Sequence, residues 1–350
     1  MICGFALCMG TLLKRAPATT LTVVTGAFCF LISHFLTIFW RTCAKRLAAH
    51  TGGLASEVLS PARFATISIC EPTLSFTSIR EDIMNAATFS TVDAHVHCGI
   101  LDRFPPQGLD DYRSLARGSG IVGAVVFSPV MEIYDRYDPH FVDAPEWQAR
   151  RRESNEYLLS LGSPAFEIFP FFFIWNDFAV EDLTPRHKGI KWHRHADEPT
   201  YRYGDPRCAR AIEEIRRRRL PVVLEEELHN TERFIRELAV GVRVIIPHMG
   251  GLNGGYRSIK RLGLWENPDV YADTALASPV ELIDYIENYG SERLLFGSDF
   301  PFGHPRREME KVLDLPLAAE VMQAVLQKNV RRLLADVYPC AQRAIISGEA

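Results

Sequence analysis

Thr91-Val92-Asp93-Ala94-His95-Val96-His97-Cys98-Gly99 delivers two histidines, one residue apart, at the end of a short apolar segment. In a β-strand successive side chains alternate between faces, so His95 and His97 point the same way. Two imidazoles on one face at a strand end can hold one metal ion. A bare His-x-His is more often a solvated or core pair; the sequence downstream shifts that balance.

Working outward, the chain from residue 88 alternates apolar runs with amphipathic stretches. The strand candidates are Phe89–His97, Ile121–Met131, Phe166–Trp175, Gly189–His195, Pro221–Glu227, Val242–His248, Val270–Leu276 and Arg293–Asp299. Helices are expected over Gly108–Arg117, Pro145–Leu161, Asp205–Arg219, Asn230–Val240, Tyr256–Leu264, Ser278–Tyr289, Arg306–Leu313 and Ala318–Leu334. Asp205, Asn230 and Ser278 read as N-caps, with Pro206 and Pro279 at N1. Eight strands alternating with helices imply a parallel sheet, and the count favours an α/β fold closed as a (β/α)₈ TIM barrel. Nearly continuous apolar strands fit burial on both faces. The runs Arg150–Arg152 and Arg216–Arg219 read as solvated helix surface.

Catalytic groups of such a barrel sit at the C-terminal ends of its strands. Those ends carry His95, His97, Lys191, His193, His195, Glu225, Glu227, His248, Asp273 and Asp299. Lys, Glu and Asp are rarely buried without partners, and a shared metal would offset that cost.

Composition bounds the alternatives. With 350 residues the chain can bury a large core, and 47% hydrophobic with 23% charged residues is ordinary for a globular protein. A net charge of -4 argues against a nucleic-acid binder. The eight cysteines form no CxxC pair, so neither a disulfide scaffold nor a zinc ribbon is indicated.

The first 83 residues differ in kind. Leu21–Trp40 is apolar and flanked by Lys14, Arg15, Arg41, Lys45 and Arg46, long enough to span a membrane once. Three readings stand: a single-pass anchor, a targeting segment, or an upstream stretch preceding a true start at Met84. The expected organisation is therefore an extension over 1–83, a barrel over 84–338 and a tail over 339–350. The barrel is expected to be cytoplasmic unless the 21–40 segment anchors it.

The motifs VDAHVHCG (92–99), GIKW (189–192), LPVVLE (220–225), VIIPHMGG (244–251) and LLFGSDFPFG (294–303) together resemble the amidohydrolase superfamily. The resemblance is to the branch of amidohydrolase-related proteins and aminocarboxymuconate-semialdehyde decarboxylases, and it covers residues 88 to about 335. It implies that His95, His97 and Asp299 are metal ligands. It makes His248 an orienting residue for substrate or water, or a second-site ligand where two metals bind. The strand 5 ligand position, usually histidine, is Glu225 here. A carboxylate can ligate zinc in its place, and harder oxygen ligation brings manganese and iron into range. His229 is a fallback ligand. Lys191 is expected to bind a substrate carboxylate or to pair with Glu225, with His193 beside it lining the mouth. Glu226 should face away from Glu225, and Glu227 should share its face. The glycine-rich Met249–Tyr256 and the segment Phe300–Pro305, with His304, are expected to shape the pocket.

The leading expectation is metal-dependent hydrolysis of an amide, lactone or ester, with zinc as the first candidate ion. Asp299 would serve as proton acceptor and His248 as hydrogen-bond donor to the carbonyl. The alternative is a non-oxidative decarboxylase, and a third class is a metal-free binding protein. The expected partner is a small molecule; the reading leaves room for a homo-oligomer.

Overall fold

The computed structural model describes residues 89–100 and 107–337. The readings placed on 1–83 and on 339–350 lie outside the described residues. Among the described residues no helix is long and apolar enough to cross a membrane.

Eight parallel strands lie in sequential order: β1 (Thr91–His97), β2 (Ile121–Phe127), β3 (Glu167–Phe173), β4 (Gly189–His193), β5 (Val222–Glu225), β6 (Val244–Ile246), β7 (Val270–Asp273) and β8 (Leu294–Leu295). The last strand returns to the first. Ala94 N–H donates to Phe296 O at 2.7 Å, Asp299 N–H to His95 O at 2.9 Å and His97 N–H to Phe300 O at 2.9 Å. These bonds bring the chain after β8 back onto β1 and nearly close the sheet into the expected (β/α)₈ barrel.

The outer helices are α1 (Leu109–Ala116), α2 (Pro145–Ser160), α3 (Pro206–Arg218), α4 (Leu228–Arg233), α5 (Tyr256–Arg261), α6 (Pro279–Tyr289), α7 (Pro305–Leu313), α8 (Ala319–Gln323) and α9 (Asn329–Ala335). Between β3 and β4 stands only a 3₁₀ turn, Val180–Asp182. Asp205 caps α3 by accepting from Arg207 N–H at 2.8 Å. Ser278 and Glu281 form a capping box on α6. Asn230 is not a cap: α4 begins two residues earlier, at Leu228, with Glu227 as N-cap.

Strand alternation sorts the core into two shells. Val125, Phe127, Phe171, Val223, Ile245 and Leu295 point inward and pack with Val330, Leu333 and Leu334 of α9, which plugs the barrel at one end. Their neighbours Ile190, Trp192, Val222, Leu224, Val244, Ile246 and Phe296 point outward into the larger core under the helices. Trp192 and the β3 phenylalanines are therefore core. Each fully buried side chain of this kind contributes about 1.5–3 kcal/mol.

β1 departs from simple alternation. Its pairing with β2 shifts register between Asp93 and Val96. Val92 and Ala94 pack inside, whereas Val96 packs outside with Tyr112 and Leu158. Asp93 accepts hydrogen bonds from Tyr112 Oη at 2.9 Å, His95 N at 3.1 Å and Ser298 N at 2.9 Å. The bulge thus turns both His95 and His97 toward the barrel mouth while Asp93 ties β1 to α1 and to the chain after β8.

Leu295→Ala should lower the unfolding free energy by about 2–5 kcal/mol in a urea titration, because it hollows the inner shell. Val280→Ala on α6, where the side chain is 75% exposed, should change it by less than about 0.5 kcal/mol. Equal effects of the two would contradict the assignment of the inner shell.

A candidate metal centre in the barrel mouth

Above the apolar inner shell, the next inward position on several strands is polar. Val223 is followed by Glu225, Lys191 by His193 and Tyr271 by Asp273, each two residues on. Phe127 forms the apolar floor: the rings of His95 and His97 meet it edge-on at 5.0 and 4.8 Å, and Lys191 Nζ lies 4.4 Å above its centre. The strands end earlier than expected on β6, β7 and β8. His248, Met249, Leu276 and Asp299 lie beyond them with φ of 52°, 50°, 53° and 53°. This left-handed conformation is costly for non-glycine residues and collects at functional sites.

One group centres on Asp299. Its Oδ1 lies 3.3 Å from His95 Nε2 and 3.2 Å from His97 Nε2, and its Oδ2 lies 3.4 Å from His248 Nε2. Behind it, Asp273 Oδ2 lies 2.7 Å from His95 Nδ1. A buried carboxylate accepts, so Nδ1 carries a proton and His95 Nε2 is turned toward Asp299. Asp273 Oδ1 accepts the His248 backbone N–H at 2.9 Å, so one carboxylate positions both histidines. Gly297 makes room for this, since a Cβ there would stand 3.0 Å from His95 Cβ and 3.2 Å from Asp273 Cγ.

These residues fit a divalent cation. His95 Nε2, His248 Nε2 and Asp299 Oδ1 are buried and have no hydrogen-bond partner. Buried polar atoms without partners are rare and need a reason, and three converging at the barrel mouth could supply donors to a metal ion. Ligand atoms of His95, His248 and Asp299 all lie within 4.8 Å of one another.

The electrostatics agree. Burial works to raise the Asp299 carboxyl, yet the imidazoles of His95, His248 and His97 hold it well below the usual range. Burial pushes His97 down to about 3. Burial also opposes charge on His248, but Asp299 and Glu225 outweigh it and raise His248 to about 9. Burial likewise works against Asp273, and His95 and His248 keep it below its ordinary value.

A second group occupies the facing wall. Glu225 Oε1 lies 2.7 Å from His195 Nε2 and 3.0 Å from His193 Nε2, and Oε2 accepts from Lys191 Nζ at 3.1 Å. Arg136 Nη2 lies 2.8 Å from His195 Nδ1, and its Nε donates to Glu198 Oε1 at 2.6 Å. Tyr134 Oη donates to Glu198 Oε2 at 2.6 Å. Burial pushes His193 down to about 4. Burial also works to raise Glu225, but His193 and Lys191 hold it well below the carboxylate range.

Both groups face one cavity of about 500 Å³, lined by His97, His193, His195, Glu225, His248 and Asp299 at its base and by Tyr137, Leu252, Leu276 and Phe302 toward solvent. The structure thus brings His95, His97, His248 and Asp299 together and places Glu225 across from them. Lys191 is fully buried and pairs with Glu225, off the cavity wall. His229 is exposed on α4. His304 stands at the N-cap of α7, away from the cavity. Glu227 does not share Glu225's face: the chain leaves the strand at Glu225, and Glu227 pairs with Arg194 at 2.6 Å. Glu226 faces away as expected, against Arg194 and Tyr203. Arg136, Tyr134 and Glu198 escaped the sequence reading because they come from irregular connections with no spacing signal. Asp273 was legible as a polar strand end but not as the residue behind His95.

The family model described as Amidohydrolase matches residues 92–335. No curated protein matches by sequence. Among solved structures, a 2,6-dihydroxybenzoate decarboxylase complexed with 2,6-dihydroxybenzoate aligns at TM-score 0.55 and 16% identity, covering 71% of this chain and 99% of its own. A dihydroxybenzoic acid decarboxylase from Polaromonas sp. JS666, with bound manganese and the inhibitor 2-nitroresorcinol, aligns at 0.54 and 13%, covering 71% and 97%. A putative 2-pyrone-4,6-dicarboxylic acid hydrolase from Pseudomonas putida aligns at 0.52 and 19%, covering 71% and 98%. At these identities the likeness is one of fold.

Two outcomes follow from the geometry. Asp273→Asn should weaken zinc or manganese binding by about 10- to 100-fold in chelator competition, since His95 loses its orienting carboxylate. Unchanged affinity would contradict that role. His248 carries a proton below about pH 9 in the metal-free protein because Asp299 holds it there. A cation at Asp299 removes that hold, so calorimetry in buffers of different ionisation enthalpy should show a proton released on binding at pH 8 and less release above pH 9. Proton-neutral binding at pH 8 would contradict it.

Proposed function

Because the chain belongs to the amidohydrolase family, we propose that it is a metal-dependent hydrolase acting on an amide, lactone or ester carbonyl. The observation that carries this reading is the buried Asp299 carboxylate, faced by the Nε2 atoms of three histidines at the base of an open cavity. His95, His97 and Asp299 would hold the ion. When bound, that ion supplies Lewis-acid polarisation of the carbonyl and acidifies water.

The chain's own residues do the rest. Asp299, whose carboxyl its histidine neighbours hold below the usual range, accepts the proton of the attacking water and returns it to the leaving group. Asp273 fixes the orientation of the His95 ring through Nδ1. His195 and Arg136, on the facing wall, offer polar contacts to the far end of the substrate, and the rim of Tyr137, Leu252, Leu276 and Phe302 receives an apolar body. Zinc is our first candidate, with manganese second because it is bound in the Polaromonas neighbour.

Decarboxylation is the second reading, and one observation favours it. His193 and His195 on Glu225 place proton-bearing groups across the cavity from Asp299, where a carbon losing carbon dioxide could be protonated. Two of the neighbours described above are decarboxylases and one is a putative hydrolase.

A panel of lactones, amides, esters and hydroxylated aromatic acids, turned over in ¹⁸O-labelled water by the metal-loaded full chain, separates the two. Hydrolysis predicts one labelled oxygen per product carboxylate and no carbon dioxide. Carbon dioxide release without label would overturn it in favour of the lyase. Asp299→Asn should lower turnover by roughly 10²–10⁴-fold.

A further inference from the structure

Resting on the metal-dependent reading above, we infer that His248 supplies the fourth protein ligand to the ion. Glu225, at the position where the family pattern has its strand 5 ligand, anchors a separate polar wall instead.

The two carboxylates differ in what surrounds them. Asp299 Oδ1 has no hydrogen-bond donor, although His95, His97 and His248 crowd around the carboxylate. Glu225 is engaged on both oxygens: Oε1 by His195 Nε2 at 2.7 Å and His193 Nε2 at 3.0 Å, Oε2 by Lys191 Nζ at 3.1 Å. No atom of His193, His195 or Glu225 is among the buried polar atoms left without a partner. The network also assigns the protons. Arg136 Nη2, a donor, lies 2.8 Å from His195 Nδ1, so His195 carries its proton on Nε2 and gives it to Glu225.

Moving Glu225 to the ion would also strand Lys191. That ammonium is fully buried, sits over the Phe127 ring and has Glu225 as its carboxylate partner. Removing one member of a buried pair leaves an uncompensated charge, which is strongly unfavourable. β-sheet register locks this arrangement, since His193 and Glu225 are paired across β4 and β5.

His248 meets the opposite conditions. Its Nδ1 is buried without a hydrogen-bond partner, and its Nε2 faces Asp299 Oδ2 at 3.4 Å. Its backbone, at φ 52° and ψ 35°, is held by Asp273, the residue that also orients His95. Its ring centre lies 4.8 Å from that of His95. The backbone therefore carries a strained conformation that delivers an imidazole nitrogen to Asp299. The assignment moves His248 from a carbonyl-orienting role to the ion.

The test uses the full chain loaded with cobalt(II) and with zinc, beside Glu225→Gln, His248→Ala and Asp299→Ala. The proton NMR spectrum of the cobalt(II) form should show three exchangeable, paramagnetically shifted imidazole N–H signals, and His248→Ala should show two. Zinc affinity by chelator competition should fall at least about tenfold in His248→Ala and stay within about threefold in Glu225→Gln. Two signals in the wild type, or a Glu225→Gln that loses zinc as Asp299→Ala does while His248→Ala keeps it, overturns the assignment. A wild type that binds no more ion than Asp299→Ala overturns the metal-dependent reading itself, and the assignment with it. If Glu225→Gln fails to fold by circular dichroism, Lys191→Met with Glu225→Gln removes the pair together and should retain one equivalent of zinc.

Discussion

A carboxylate buried among imidazole edges is the constraint on which this site depends. Asp299 is 4% exposed and faces the Nε2 atoms of His95, His97 and His248, yet its Oδ1 has no donor. An ionised carboxylate removed from water must be compensated by hydrogen bonds, a proton or a cation. Much of the surrounding structure arranges that compensation. Asp273 fixes the orientation of the His95 ring and the His248 backbone, Gly297 leaves space for both, and the Asp299 N–H bond to His95 O brings the chain after β8 back onto β1 at the same point. Fold closure and the candidate metal centre are thus built from the same few residues.

The cavity has two walls of different character above one apolar floor. On the Asp299 wall, buried atoms wait for a partner. On the Glu225 wall, Lys191, His193, His195, Arg136, Glu198 and Tyr134 satisfy one another. Phe127 separates them from the apolar inner shell below, touching His95, His97 and Lys191 alike. A fully satisfied polar network is rigid, and rigidity there keeps His193 and His195 at fixed positions on the cavity wall.

The fold was legible in the sequence because each strand carries an apolar run and because α3 and α6 carry recognisable caps at Asp205 and Ser278. The shared face of His95 and His97 followed from their spacing alone. The bulge between Asp93 and Val96 did not, because no residue there announces a register shift. Glu225 was legible as the residue replacing a ligand, but its partners depend on which β4 residue lies opposite, and only the sheet register decides that. Parity arguments failed where strands ended early: Glu227 caps α4, while His248 and Asp299 reach the site from left-handed positions beyond β6 and β8. Arg136 and Glu198 come from connections whose course no periodicity describes.

If the site works as proposed, Asp299 holds one divalent cation. An anomalous difference map from crystals of the full chain grown with zinc or manganese should show one strong peak in contact with His95 Nε2, His97 Nε2, His248 Nε2 and Asp299, with Glu225 still on Lys191. A peak ligated by Glu225, His193 and His195, or no peak near Asp299, would contradict it.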